Sequence, residues 1–202
     1  MFTRVLLILL VIVFVLDQCI IGLQVGHQLR FGTKTLLVPI LIAYYAFSTN
    51  KINKLFLAGL VMSFFGDLFL MFKGGFIAGL SSFLLAHIFY ILTFKQFFQH
   101  KNLALIPLIL IFVGSLIGFL YPHLGGMKIP VILYALTIGL MLYIALGTKQ
   151  TWLIVGAILF VLSDSILAIN LFYKQSLLGG MSVMLTYVIA QYCLVVGMVK
   201  RG

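Results

Sequence analysis

The sequence predicts an all-α, polytopic membrane bundle of about eight transmembrane helices, with both termini in the cytoplasm. Of its 202 residues 64% are hydrophobic and only 8% are charged, a balance that a soluble domain of this length does not tolerate. Apolar runs long enough to cross a bilayer, about 20 residues each, follow one another with hardly a polar interval. No period-two alternation marks strands, which excludes a β-barrel. Backbone groups in lipid must then be satisfied within helices. The whole chain, 1–202, reads as a single transmembrane domain with no room for a soluble one.

The spans are delimited by charged and Gly- or Pro-containing intervals. The first, 4–23, follows Arg4; it contains Asp17 and Gln18 and lacks a small-x-small cleavage pattern, so it reads as a membrane helix rather than a signal peptide. The second, 34–49, opens at Lys34, and the third, 55–72, lies between Lys54 and Lys73. The fourth, 76–97, follows Gly74-Gly75, and the fifth, 103–120, stops before Pro122. The sixth, 128–147, begins at Lys128; the seventh, 151–172, ends before Lys174; the eighth, 178–199, runs to Lys200. Short connectors make consecutive helices antiparallel neighbours.

Orientation follows from the cations. Arg4, Lys51, Lys54, Lys95, Lys101, Lys149, Lys200 and Arg201 fall on one side, against Arg30, Lys34, Lys73, Lys128 and Lys174 on the other, and the richer side is cytoplasmic. The protein is thus expected to be an integral, multi-pass membrane protein, in the cell membrane if the source is bacterial. The 13 Lys and Arg against 3 Asp and no Glu are scattered singly, so they mark topology and meet lipid headgroups; no nucleic-acid surface is implied. Cys19 and Cys193 read as small buried apolar residues. His27, His100 and His123 fall in connectors and read as interfacial.

All three acids lie within hydrophobic segments. An ionised carboxylate at the bilayer centre costs at least about 2.5 to 3.5 kcal/mol, so Asp67 and Asp164 must face the bundle interior. Each acid stands 12 or 13 residues from the cytoplasmic end of its predicted span, or roughly 20 Å at 1.5 Å per residue, which places them in one layer. Gly59, Ser63 and Gly66 accompany Asp67; Gly156, Ser163 and Asn170 accompany Asp164, at spacings where helices approach closely. The glycines and Ser63 read as packing residues, whereas packing gives no reason to tolerate a carboxylate. His87 and Tyr90 share a face of the fourth helix, Tyr134 lies in the sixth, and Tyr187 and Gln191 stand one turn apart on the eighth. All are neutral groups able to hold a carboxylate or a headgroup. Asp17 reads equally as a structural hydrogen-bonding group, and Lys34 as a headgroup contact or a boundary marker.

An internal echo links Ser63-Phe-Phe-Gly-Asp67-Leu-Phe-Leu to Phe160-Val-Leu-Ser-Asp164-Ser-Ile-Leu, each followed by a Gly-Gly pair. If genuine, it implies two four-helix halves related in parallel about the membrane normal.

At these residues the sequence resembles the YhhN family of membrane lysoplasmalogenases. The matching pieces are Phe65-Gly66-Asp67-Leu68-Phe69-Leu70, Phe83-Leu-Leu-Ala-His87-Ile-Phe-Tyr90, Tyr134-Ala with Gly139-Leu-Met141, the run from Gly156 to Asn170 containing Ser163-Asp164-Ser165, and Thr186-Tyr187-Val-Ile-Ala190-Gln191. They span residues 60 to 195 in the family's order. One departure is visible: the family often has Lys followed directly by Pro, while here Lys34 is followed by Thr35 and the proline comes at Pro39.

The resemblance implies hydrolysis of the vinyl ether bond of lysoplasmalogens carrying ethanolamine or choline headgroups, releasing a fatty aldehyde and the glycerophospho head. The implied partners are the lysophospholipid substrate and membrane lipids, with no obligate protein partner, no cofactor and no metal. Asp67 and Asp164 would be catalytic; His87, Tyr90, Tyr134, Ser163, Asn170, Tyr187, Gln191 and Lys34 would bind or orient. The chemistry suits two acids. A vinyl ether hydrolyses when its β-carbon is protonated, and two carboxylates in a poorly solvated pocket cannot both ionise readily, so the pair supplies a proton and a counter-charge together. Paired carboxylates of glycosidases serve a similar oxocarbenium-like transition state, an analogy of chemistry and not of fold.

Two rivals share the residues. A proton-coupled transporter or flippase would use intramembrane Asp and His as a relay. A metal-dependent hydrolase would use Asp67, Asp164 and His87 as ligands, although no HExxH or Cys-rich spacing accompanies them.

Overall fold

The computed structural model describes residues 2–24 and 26–201, and places eight α-helices along the chain: α1 (Phe2–Leu23), α2 (His27–Ser48), α3 (Lys54–Phe69), α4 (Phe76–Lys95), α5 (Leu105–Leu120), α6 (Lys128–Leu146), α7 (Thr151–Phe172) and α8 (Leu177–Val199). Two short 3-10 turns, Tyr121–His123 and Gly125–Met127, join α5 to α6. Seven of the helices are long and apolar enough to cross a membrane, α5 with the aid of the first of these turns. The exception is α3, whose 16 residues extend about 24 Å. It is the helix that carries Asp67. The chain is therefore an integral, multi-pass membrane protein.

Helix ends follow local chemistry. The Asn53 side chain accepts hydrogen bonds from the amides of Leu55 and Phe56 and so starts α3; the Tyr45 hydroxyl in turn accepts from the Asn53 amide. Ser176 does the same for α8 through the Gly179 amide. Between α3 and α4 the chain turns at Gly74, whose φ of +82° favours a residue without a Cβ.

The largest departure from the sequence reading is α2, which begins at His27 and not at Lys34. Lys34 therefore lies two turns inside the helix, on the stripe continued by Leu37, Val38, Leu41 and Tyr45, all of them buried. It is therefore not one of the connector cations. Cys193 is buried, but Cys19 is exposed on the outer face of α1. His100 is exposed in its connector, and His123 packs edge-on to Tyr173 at 5.2 Å. The side chain of His27 lies outside the described residues.

Packing forms a ring in the order α2, α3, α4, α6, α7, α8 and back to α2, with α1 outside against α2 and α8, and α5 outside against α6 and α7. Consecutive helices are neighbours except α4 and α5: α4 packs on α6 instead. The reason is composition. Only Val113 and Leu120 of α5 are buried; its other apolar side chains face lipid, which solvates them as well as protein does.

This ring repeats itself. The pairs α1/α2, α2/α3, α3/α4 and α4/α6 correspond to α5/α6, α6/α7, α7/α8 and α8/α2. The six helices of the ring thus follow an approximate two-fold arrangement about the membrane normal, with Asp67 and Asp164 at equivalent places, whereas the outer helices depart from it: α1 packs also on α8, and α5 on α7. The Gly-Gly pairs are not equivalent: Gly74-Gly75 lies in the turn before α4, whereas Gly179-Gly180 lies inside α8.

Candidate active site

Each of the two central acids meets one partner from its own half and one from the other. Asp67 sits on α3, 13 residues after Lys54, and Asp164 on α7, 13 residues after Thr151, so the two stand at the same depth. Small residues set their helices close together. A Cβ on Gly66 would lie 2.6 Å from the Phe83 ring of α4, and one on Gly156 would lie 2.6 Å from Leu194 of α8.

Around Asp67, Lys34 of α2 places its ammonium 3.5 Å from Oδ1, and Tyr187 of α8 donates its hydroxyl to Oδ2 at 2.6 Å. Acid and lysine are both nearly inaccessible, with side chains 4% and 10% exposed. A chain of hydrogen bonds then leads away from the acid. Gln191 donates its amide to the Tyr187 hydroxyl at 3.3 Å, Tyr90 donates to the Gln191 carbonyl at 3.0 Å, and Ser63 lies 3.3 Å from the Tyr90 hydroxyl. Every member of this network is buried, so it holds Asp67 in one orientation.

The mirrored positions around Asp164 carry different chemistry. Tyr134 of α6 donates its hydroxyl to Oδ2 at 2.5 Å, and His87 of α4 brings Nε2 to 3.8 Å of the same oxygen, longer than a hydrogen bond. His87 is fully buried and its ring stands edge-on to Tyr134 at 5.2 Å and Phe160 at 4.8 Å. No lysine or arginine reaches Asp164 within 4 Å among the described residues. The symmetry is broken at one point above all: where Asp67 has an ammonium, Asp164 has a phenol.

Asp164 also borders two narrow apolar clefts. One runs among Leu70, Phe76, Leu80, Val131 and Phe172, the other among Val113, Leu116, Leu120, Val131 and Ala168; Tyr134 lines both. Each has a cavity volume of about 50 Å³, little more than the share of liquid occupied by one water.

The remaining sequence candidates make no hydrogen bond or ion pair to Asp67 or Asp164. Ser163 donates to the Val183 carbonyl at 3.0 Å and ties α7 to α8. Asn170 accepts from the Ser176 amide at 2.7 Å and braces the turn before α8. Asp17 is completely buried, and the Thr33 hydroxyl donates to its Oδ1 at 2.8 Å. Two residues that the sequence pattern does not mark as polar partners of the acids also contribute: Thr33, through that bond, and Phe160, whose ring stands edge-on between His87 and Tyr187. Among the described residues no three His, Cys, Asp or Glu side chains converge as metal ligands; Asp67, Asp164 and His87 do not form the three-ligand set that a metal-dependent rival requires.

The YhhN family model matches residues 29–198, which include every residue of the two acid clusters. The chain is 32% identical over 142 residues to lysoplasmalogenase TMEM86B of Homo sapiens, covering 69% of this chain and 61% of that protein. It is 33% identical over 147 residues to lysoplasmalogenase TMEM86B of Mus musculus, covering 70% and 62%. The match thus spans about three-fifths of the length of these curated relatives. No solved structure matches the chain. With a family match running from α2 to the last turns of α8, the chain belongs to the YhhN family.

Proposed function

We propose that this protein is a membrane hydrolase that cleaves the vinyl ether bond of lysoplasmalogens, with ethanolamine or choline headgroups, by paired-aspartate catalysis. The observation that carries the reading is the unequal pair: two buried carboxylates at one depth, one compensated by a cation and the other beside apolar clefts. The relatives named lysoplasmalogenase support the same substrate class.

The two acids divide the work accordingly. Asp67, with an ammonium on one oxygen and a hydroxyl donor on the other, is the fixed carboxylate. Asp164, which has no cation beside it and borders the apolar clefts, is the proton donor that the alkenyl chain reaches. Its proton goes to the β-carbon of the vinyl ether; the π electrons form the new C–H bond and leave an oxocarbenium ion. The carboxylates stabilise that cation in a site from which water is largely excluded. Water adds to the cationic carbon and gives up a proton to a carboxylate, forming a hemiacetal. The hemiacetal collapses as its hydroxyl gives up its proton to a carboxylate and forms the C=O bond, the C–O bond to glycerol breaks, the glycerol oxygen takes a proton from the other carboxyl group, and the aldehyde leaves. Tyr134 and His87 orient Asp164; Lys34, Tyr187, Gln191 and Tyr90 orient Asp67.

Protonation at carbon leaves a permanent mark. Incubated with lysoplasmalogen in heavy water, the purified protein should release an aldehyde carrying one deuterium at its second carbon, read by mass spectrometry. Aldehyde without that deuterium would rule out carbon protonation. Aspartate-dependent uptake into proteoliposomes without aldehyde would favour the transporter instead.

A further inference from the structure

Two cavities of unlike character lie at the outer end of the bundle. One is the apolar cleft between the outer ends of α3, α4, α6 and α7 described above. The other lies between the outer ends of α1, α2, α7 and α8, holds about 540 Å³, and is lined by the polar residues Gln24, Arg30, Asn170, Gln175 and Ser176 as well as by Ile20, Ile21 and Leu177. The first is apolar apart from Tyr134 and Asp164, whereas the second carries a cation and four neutral polar side chains.

Arg30 gives that second cavity its sign. It is half-buried, its Nε is inaccessible and without a hydrogen-bond partner, and it forms no ion pair within 4 Å among the described residues. Asp17 lies near enough to attract it but takes its hydrogen bond from Thr33 instead. No acid lines the cavity. A guanidinium in such a place is a ready partner for a phosphate, which it can bind with two parallel hydrogen bonds.

We propose that this cavity receives the phosphate of the lysophospholipid headgroup, with Arg30 as its counter-charge, while the alkenyl chain lies in the apolar cleft beside Asp164. This rests on the lysoplasmalogenase reading. The spacing fits it. Arg30 lies one turn, about 6 Å, above Lys34, and Asn170 lies six residues, about 9 Å, above Asp164. Seven covalent bonds separate the phosphorus from the vinyl β-carbon, an extended reach of about 9 Å at ordinary bond lengths. A phosphate held at the level of Arg30 therefore sets the vinyl ether in the layer of the two acids, between a polar pocket and an apolar one. An amphipathic substrate is bound in one direction only.

The test compares the wild type with Arg30→Gln and Arg30→Lys in detergent, on lysoplasmenylethanolamine and on phosphate-free 1-alkenylglycerol. Arg30→Gln should raise KM for the phospholipid about tenfold or more, the loss expected for one charge-assisted hydrogen bond. It should change kcat less than about twofold, and Arg30→Lys should recover part of the affinity. Alkenylglycerol cleavage should be unchanged, which also shows that the variant is folded. Equal losses on both substrates, or no loss on either, overturn the proposal.

A binding arm separates the headgroup site from the activity. By native mass spectrometry the wild type should retain ester-linked lysophosphatidylethanolamine over monoacylglycerol, and Arg30→Gln should lose that preference. If this holds while no aldehyde is ever formed, the hydrolase reading fails and the headgroup site stands. Absence of the preference, or binding of inorganic phosphate in place of the lysolipid, overturns the site.

Discussion

Lys34 shows most clearly how one side chain decides what a site can do. Read as the first residue of its helix, it has two roles to choose between, headgroup contact or boundary marker. Placed two turns inside α2, it becomes the counter-ion of Asp67. Breaking a buried ion pair by removing one partner costs about 3 to 5 kcal/mol, because the other charge is left uncompensated. Lys34→Met should therefore lower the thermal stability of the detergent-solubilised protein by that order, and adding Asp67→Asn should recover most of the loss without restoring activity. If the two substitutions simply add, the pair does not exist. The need for Asp67 and Asp164 to be buried was legible from cost alone, since a carboxylate in a membrane helix has nowhere else to go. Their unequal partners were not, because which residue of α2 or α6 meets an acid depends on helix rotation and on where the helix starts. One signal was available: Lys34 precedes Leu37, Val38, Leu41 and Tyr45 at helical spacing, so a helix extended seven residues upstream puts the lysine on the buried stripe.

At the scale of the helices, hydropathy located every span, and most boundaries agree to within two or three residues. The exceptions have physical causes. The first turns of α2 carry Arg30, Thr33 and Lys34 and resemble a loop in composition, yet Thr33 and Lys34 turn inward to acids on α1 and α3. The position of α5 outside the ring was not legible, because a helix that is apolar all round gives no preference between lipid and protein. Close approach of the helices carrying the acids depends on glycine. Gly66→Ala and Gly156→Ala each drive a methyl into a neighbouring side chain at 2.6 Å, and overpacking of this kind costs about 1 to 3 kcal/mol. Their unfolding temperatures should fall by several degrees, measured by differential scanning fluorimetry. Gly114→Ala on α5, with nothing within 4 Å of its Cβ, should leave stability unchanged or raise it slightly. Equal behaviour of all three would contradict the packing described.

For the molecule as a whole, the approximate two-fold arrangement explains why two acids from distant parts of the chain stand at one depth. Its departures from symmetry explain how a doubled scaffold can act on an unsymmetrical substrate. The sequence echo between α3 and α7 hinted at this; the ring extends it to six helices, and α1 and α5 depart from it. The clefts at Asp164 hold little more than one water each, so entry of an alkenyl chain requires side chains such as Phe76 and Leu80 to part, opening a path from the lipid. Hydrolysis of a vinyl ether by Asp67 and Asp164 together is read out by the release of fatty aldehyde. Purified wild-type protein, Asp67→Asn and Asp164→Asn, each verified as folded by size-exclusion chromatography, would be supplied with lysoplasmenylethanolamine and with its ester-linked counterpart, and the products measured by mass spectrometry. Under paired-aspartate catalysis aldehyde comes from the vinyl ether substrate only, and its release falls at least about a hundredfold in either variant. Wild-type aldehyde release by the folded Asn variants would contradict it.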